Sequence, residues 1–317
     1  MYSSHAQSHI LIPSLIDFPM YDQSARRKKM AAGPALTDVA QLELAAALGV
    51  VNDRQLSNTE TVHDVRKALK RWRALLRLLE PFLAEDGRRL RIEARDLART
   101  LQSAREPRSA LDALTDLGEF PEALSPRSLA TVTGRLEAMV RAGEATTLTD
   151  EARNDLRARL QATVGEVERW PLGGIDRSAL AGRLGDTYRR ARNAIPDDWL
   201  QASAEDLHEL RKRVVEHRYQ MELIEPLWPK LGKAWVAEAQ KLRERLGSYQ
   251  DLAVLTGMTA PHQPLAPWRS RLAPLIAARQ ERHLASARRI AGRLFAEKPK
   301  AFRRRIEALW SSADGQD

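Results

Sequence analysis

The 317 residues of this chain predict an all-α fold in which a pseudo-twofold axis relates two helical bundles. From Leu36 onward nearly every window has apolar residues at helical spacing, β-branched residues are few, and Gly and Pro separate the windows. A segment of the first half also recurs in the second half at an offset of 145 residues. Long helices, short connections and a duplicated unit are typical of helical bundles.

The predicted elements begin with a leader. Residues 1–34 show no sustained period and end in Arg26-Arg27-Lys28-Lys29 and Gly33-Pro34, which predicts a flexible basic segment. A solvated tail is the favoured interpretation, over an arm that binds a polyanion. Predicted helices then cover 36–48, 61–80, 87–105, 107–117, 125–142, 148–169, 176–194, 204–225, 231–246, 249–258, 266–296 and 299–311.

The internal repeat divides the expected domain, 35–311, into a first bundle over about 35–195 and a second over about 200–311, followed by a tail, 312–317. The alignment pairs His63 with His208, Arg66 with Arg211, Lys67 with Lys212, Arg73 with Arg218, and Leu78-x-Glu80-Pro81 with Leu223-x-Glu225-Pro226. Because Pro recurs in the same phase, the Glu-Pro pairs predict a helix stop or kink instead of a carboxylate site.

One face of the first repeat helix carries only basic side chains. At about 100° per residue, its basic positions fall within a sector of about 80°, opposite the apolar face; they are His63, Arg66, Lys70, Arg73 and Arg77. An ordinary solvated face would alternate acids and bases for mutual support, so this pattern indicates a partner anion. A solvated face whose acids come from neighbouring helices is the alternative.

Charge is also segregated along the chain. The composition of 51 Lys+Arg against 42 Asp+Glu gives a net charge of +9, and the excess of Arg over Lys suits two-point contacts to phosphate or carboxylate, although a codon bias is an equally good explanation. Between Arg269 and Arg305, twelve basic residues face only Glu281 and Glu297. This segment supplies the further candidates Arg289, Lys298 and Arg303.

Several classes of protein are excluded or disfavoured. The chain has no cysteine, which removes disulfide scaffolds, thiolate metal sites and cysteine catalysis. No uninterrupted apolar run has the length of a membrane span, and the basic run follows the leader's apolar stretch instead of preceding it, so we expect a cytoplasmic protein without a membrane partner. Phosphate-loop, zinc-protease and nucleophile-elbow motifs are missing, so we expect neither an enzyme nor a cofactor or metal.

Three segments together resemble the CHAD family, the conserved histidine α-helical domain. They are His63-x-x-Arg66-x-x-x-Lys70-Arg71-x-Arg73, its second copy Leu207-His208-x-Leu210-Arg211-Lys212-Arg213 with Arg218-Tyr219, and Leu246-Gly247-x-x-Gln250-Asp251-Leu252. The end of the chain, from Phe295 to Arg305, is also similar to the family's end. The resemblance covers about 36–311.

The resemblance implies two four-helix bundles about a pseudo-twofold axis, and a basic central surface that binds inorganic polyphosphate. Carried over by position, the contacts would come from His63, Arg66, Lys70, Arg73, Tyr188, Arg189, Arg192, His208, Arg211, Lys212 and Arg218. Val215 departs from the family's usual Lys or Arg, and Glu222 stands in the slot that matches Arg77. We therefore expect the second half to contribute less to anion binding.

The expected function is non-catalytic binding of polyphosphate in the cytoplasm, with granule targeting as one use of that binding. Nucleic acid is the alternative partner, but aromatic residues make up only 5% of the chain, which disfavours base stacking. A polyphosphate-processing enzyme is a further alternative. For His63 and His208, a structural role at a helix interface stays open, and a metal pair is less favoured because no carboxylate recurs at ligand spacing. Oligomeric state is not predicted.

Overall fold

The computed structural model describes residues 33–101, 105–118, 124–144 and 148–314. Within these ranges the chain forms α-helices and short 3-10 helices, with no strand, so the predicted all-α fold is confirmed. The α-helices are α1 (Gly33–Asn52), α2 (Asn58–Thr100), α3 (Arg105–Leu117), α4 (Pro126–Glu144), α5 (Asp150–Val167), α6 (Arg177–Asn193), α7 (Ala204–Ile224), α8 (Pro229–Met258), α9 (Arg269–Leu294) and α10 (Pro299–Asp314). Residues 1–32 of the expected leader lie outside the described residues; Gly33 and Pro34 begin α1.

Helix α2 is a hairpin of two arms, 58–83 and 85–100. Its start is fixed by a capping box, in which Ser57 Oγ accepts from the Glu60 backbone N–H at 3.2 Å and the Glu60 carboxylate accepts from the Ser57 backbone N–H at 3.0 Å. The arms meet at Ala84, whose φ of 50° lies outside the helical region, three residues after Pro81. The kink that the Glu-Pro motif predicts is thus found as a reversal of the chain.

The second repeat reverses in a similar way, through α7, the 3-10 helix Glu225–Leu227 and α8. In both copies a glycine packs on the backbone of the motif's glutamate. A Cβ on Gly87 would lie 3.0 Å from Glu80 Cα, and one on Gly232 would lie 2.6 Å from Glu225 Cα. Gly232 follows Gly87 at the repeat offset, so the repeat is visible in local geometry; the arrangement as two four-helix bundles stays a prediction.

Two hydrophobic cores hold the helices together. The larger core draws on α1, α2, α5, α6, α7, α10 and parts of α8 and α9. The second core joins α3 and α4 to the end of α8 and the start of α9, through Ala113, Leu136, Leu255 and Ile276 among others. Because α3 and α4 belong to the first predicted bundle, core contacts cross the boundary expected near residue 200.

Two further details concern single helices. The helices predicted over 231–246 and 249–258 are one continuous helix, α8. Helix α1 has the length and composition of a membrane span, because residues 35–52 have a mean hydropathy of 1.2. In the structure, 39% of these residues are buried. This is weak support for a membrane span, because buried helices of protein cores share these properties. The expectation of no membrane partner stays a prediction.

Candidate anion-binding surface

Seven arginines from three helices lie close enough to influence one another; we call them the arginine cluster. They are Arg73 and Arg77 on the first arm of α2, Arg91 and Arg95 on its second arm, Arg183 and Arg190 on α6, and Arg213 on α7. The folding back of α2 at Ala84 brings its two basic faces together. The cluster therefore combines side chains that are up to about 140 residues apart in sequence.

Arg73 lies in a positive local field. Burial lowers the pKa of its guanidinium, Glu216 raises it, and the charges of Arg91, Arg77 and Arg95 lower it further, so that the net shift is downward. A cation whose pKa falls among like charges gains from a nearby anion, because the anion offsets the repulsion. Arg73 is thus placed to bind a negative ligand.

Arg190 lies in a similar field on α6. Burial lowers the pKa of Arg190 most, followed by the charges of Arg183, Arg77 and Arg213, while Asp186 raises it. Arg77 acts on both Arg73 and Arg190. The positive field is therefore continuous from the hairpin α2 to α6 and α7.

Acidic side chains compensate only part of this charge. Arg91 Nε donates to Glu80 Oε2 at 3.0 Å, and Arg183 donates to Asp186 Oδ2 at 3.0 Å. Glu216 accepts from Arg213 at 3.1 Å, and its other oxygen lies 3.5 Å from Arg77 Nε. Within the described ranges, Arg73 and Arg190 make neither an ion pair nor a side-chain hydrogen bond.

Three N–H groups of the cluster are buried without an acceptor. The Nε atoms of Arg73, Arg77 and Arg183 have no hydrogen-bond partner among the described residues. A buried donor without a partner costs about 1–3 kcal/mol. An anionic oxygen is the acceptor that would recover most of this cost, because charge-assisted hydrogen bonds are the strongest available here.

The remaining positions of the first basic stripe divide into two kinds. His63 and Lys70 are exposed, as the sequence predicts for a ligand-facing side chain. Arg66 is half-buried, and its guanidinium donates to the backbone carbonyls of Ala98 and Leu101 at 3.0 and 2.9 Å. Arg66 therefore caps the carboxyl end of the second arm, which the basic pattern alone did not indicate.

The second stripe, on α7, is largely engaged with the protein itself. Arg211 donates to Gln250 Oε1 at 3.2 Å and packs over Gly247. Lys212 lies 3.5 Å from Glu209 and 3.7 Å from Glu205. Arg218 pairs with Glu222 at 2.5 Å and lies 4.5 Å above the Tyr219 ring. His208 is half-buried. These contacts favour the predicted asymmetry, which binding measurements have to test.

On α6 the structure corrects one candidate. Tyr188 is 0% exposed, stacks on Phe302 with the ring centroids 4.2 Å apart, and donates its hydroxyl to the Glu297 carbonyl at 3.0 Å. A ligand on the surface cannot reach this side chain. Arg192 Nε donates to the Phe295 carbonyl at 3.0 Å, and Arg189 is exposed beside Asp186 at 2.9 Å. Of the predicted α6 positions, Arg189 and Arg192 are exposed and Tyr188 is not.

The three candidates near the end of the chain lie on α9, on α10 and in the turn between them. Arg289 and Lys298 are exposed. Arg303 pairs with Glu307 at 2.9 Å and donates to Ser178 at 3.3 Å, so it helps to hold α10 on α6. The contacts of the described residues do not join these side chains to the arginine cluster.

Sequence analysis missed most of the cluster as a site. Arg91, Arg95, Arg183, Arg190 and Arg213 were not among the candidates, although the second arm has a basic face of its own at 88, 91, 95 and 99. The Glu-Pro kink was the available signal: a chain that reverses there brings this face beside the first stripe. Among the described residues, no group of three potential ligands lies together to hold a metal ion.

The geometry defines a class of protein, an all-helical protein in which seven arginines from three helices lie close together. In comparison with known families, the model of the CHAD domain matches residues 38–260. The chain belongs to the CHAD domain family.

Two solved structures share the fold. PptA from Streptomyces chartreusis has a TM-score of 0.58 and 16% identity, over 84% of this chain and 99% of that chain. The CHAD domain from the plant Ricinus communis has a TM-score of 0.51 and 21% identity, over 90% of this chain and 91% of that chain. No curated protein matched significantly. At these identities the likeness concerns the fold alone.

Proposed function

We propose that this protein binds inorganic polyphosphate, without catalysis, through the arginine cluster. The observation that carries the proposal is the state of Arg73 and Arg190, which have lowered pKa values and no ion pair within the described part of the chain. The buried, unpartnered Nε of Arg73 supports it further. A polyanion offers both the charge and the acceptors that these groups lack.

The shape of the basic surface favours an extended ligand over a single phosphate ion. The row Arg88, Arg91, Arg95 and Arg99 follows the second arm of α2. At about 1.5 Å per residue it extends over roughly 16 Å. Arg73 and Arg190 then continue the positive field towards α6. A linear phosphate polymer can contact such a row at successive residues. The resemblance to the CHAD family likewise implies a basic surface that binds polyphosphate.

Nucleic acid is the second candidate, and the structure offers one observation against it. Binders of single strands stack bases on exposed aromatic rings. Among the described residues the only exposed large aromatic is Trp228, 50% exposed, just before α8. It lines an apolar pocket with Ile306 and Leu309, and no member of the arginine cluster lines that pocket. We therefore expect weaker binding of DNA and RNA than of polyphosphate at matched charge.

The first experiment compares ligands and variants in one titration at physiological salt. The double variant Arg73→Ala/Arg190→Ala should bind long-chain polyphosphate at least about tenfold more weakly than the wild type, since each lost charged hydrogen bond is worth about 1.5–3 kcal/mol. The matched control is Arg127→Ala/Arg141→Ala, which removes the same charge from exposed positions on α4. Equal losses in the two double variants would refute the site, and tighter binding of DNA or RNA would favour the second candidate.

Two further parts of the proposal have their own tests. Incubation with polyphosphate and divalent metal ions should release no phosphate, and metal-dependent release would indicate a processing enzyme instead. In cells we expect the protein in the cytoplasm, on polyphosphate granules. Fluorescence of a tagged chain should coincide with granules in the wild type and become diffuse in Arg73→Ala/Arg190→Ala.

A further inference from the structure

One carboxylate of the arginine cluster bridges arginines of two helices, α2 and α7. Glu216 lies on α7, and its side chain is 20% exposed. One of its oxygens accepts from Arg213 at 3.1 Å, while the other lies 3.5 Å from Arg77 Nε. Its charge also raises the pKa of Arg73, against the effect of the neighbouring arginines. Glu216 thus stands between arginines of α2 and α7.

The contact between Glu216 and Arg77 compensates charge without satisfying the donor. Arg77 Nε is buried and lacks a hydrogen bond, although the carboxylate is only 3.5 Å away. Both arginines also have a second acidic neighbour: Glu209 lies 2.5 Å from Arg213, and Glu80 lies 3.8 Å from Arg77. An incoming anion could therefore take the position of Glu216 and improve the contact of Arg77. It would not leave Arg213 without an acidic partner.

We propose that Glu216 is an internal competitor for the ligand: its carboxylate holds Arg77 and Arg213 in the free protein, and a phosphate of the bound polymer displaces it. This inference rests on the proposed binding of polyphosphate. It assigns to Glu216 a role in setting the affinity, because the ligand has to replace an existing anion. The free protein is stabilised by the same contact, since arginines left together without an acid repel one another.

The test compares two variants that change the net charge equally. Glu216→Gln should bind long-chain polyphosphate roughly tenfold more tightly than the wild type, equivalent to about 1.4 kcal/mol. The control is Glu137→Gln on α4, where the carboxylate is 47% exposed and 3.8 Å from Arg141. A remote charge in solvent is screened beyond about 8–10 Å, so the control should change the affinity by less than about twofold.

Thermal melting separates competition from a purely structural role. Without ligand, Glu216→Gln should melt at a lower temperature than the wild type, and saturating polyphosphate should raise its Tm by more than it raises that of the wild type. A lower Tm with unchanged affinity would overturn the inference. Should Glu216→Gln fail to fold, Glu216→Asp keeps the charge on a shorter side chain. Tighter binding by Glu216→Asp would support competition, and wild-type affinity would refute it.

The outcomes for the two proposals differ. If the wild type does not bind polyphosphate, the proposed function fails. If the wild type binds and Glu216→Gln behaves as Glu137→Gln does, the proposed function stands and the role of Glu216 is refuted.

Discussion

Arg66 donates a hydrogen bond to the backbone carbonyl of Leu101 at 2.9 Å, so the first arginine of the basic stripe also joins the two ends of the hairpin α2. The last carbonyls of a helix have no partner within it, and a guanidinium beside them satisfies both their hydrogen bonding and the negative end of the helix dipole. Members of one stripe therefore have different roles, and substitutions can separate them.

Arg66→Ala should destabilise the protein. The loss of hydrogen bonds from a charged donor to Ala98 and Leu101 is worth about 1–3 kcal/mol. In a domain of this size that corresponds to a decrease in Tm of roughly 2–8 °C. Differential scanning calorimetry measures this decrease in Tm. The comparison variant is Lys70→Ala, which removes an exposed cation from the same arm. An unchanged Tm together with strongly weakened polyphosphate binding would show that Arg66 serves the ligand instead.

Arg190→Ala should weaken polyphosphate binding more than Arg189→Ala. Both side chains are exposed on α6, but Arg189 already pairs with Asp186 at 2.9 Å, whereas Arg190 belongs to the continuous positive field. Removal of a phosphate contact should flatten the slope of log affinity against log salt by up to about one unit. Titration at two or more salt concentrations gives both quantities. Equal slopes for the two variants would mean that Arg190 does not contact phosphate.

Glu43→Gln should stabilise the protein above neutral pH. Burial raises the pKa of Glu43 to about 7; the nearby Arg71 opposes this shift and Glu222 adds to it. Because the folded state binds the proton more tightly than the unfolded state, stability falls as the pH rises from 4.5 to about 7. At pH 8 the variant should gain on the order of 2–3 kcal/mol over the wild type, and less at pH 5. Urea unfolding at both pH values checks this; the same gain at both would contradict it.

His217→Leu should reduce the sensitivity of the protein to acid. His217 is fully buried among aromatic rings, both ring nitrogens lack hydrogen bonds in the described structure, and burial lowers its pKa to about 3. Here the unfolded state binds the proton more tightly, so stability falls as the pH decreases from 6.5 towards 3. Near pH 5 the wild type should lose about 2 kcal/mol that the variant keeps. The Tm of both proteins is measured from pH 6.5 to pH 3. If the Tm of the wild type and of His217→Leu falls equally with pH, the assignment is refuted.

Most helices could be predicted because apolar spacing directly reflects burial. The Glu80-Pro81 and Glu225-Pro226 motifs correctly marked two places where the chain reverses. The glycines that make close packing possible at these places, Gly87 and Gly232, follow the same offset but carry no side chain that a pattern search would notice. Local signals thus located the reversals without showing what packs there.

The candidate site was harder to predict, because neighbours in sequence can face opposite sides of a helix. Tyr188 was grouped with Arg189 and the other basic residues beside it, yet its spacing from Leu184 and Ala191 places it on the buried face. Arg190, on the other face, became a candidate only when its distant neighbours on α2 and α7 were known. Such groupings depend on tertiary packing, which a single sequence does not specify.

The second core has a consequence for any attempt to divide this protein. Leu255 and Ile276 are covered by Ala113 and Leu136, so a fragment starting near residue 200 would present these apolar side chains to water and aggregate. The complementary fragment, lacking α8 and α9, would lose the support for α3 and α4. Separately produced halves should instead become soluble when they are co-expressed and assemble with each other. A chain cut back to either half therefore lacks part of the apolar surface that covers its own helices.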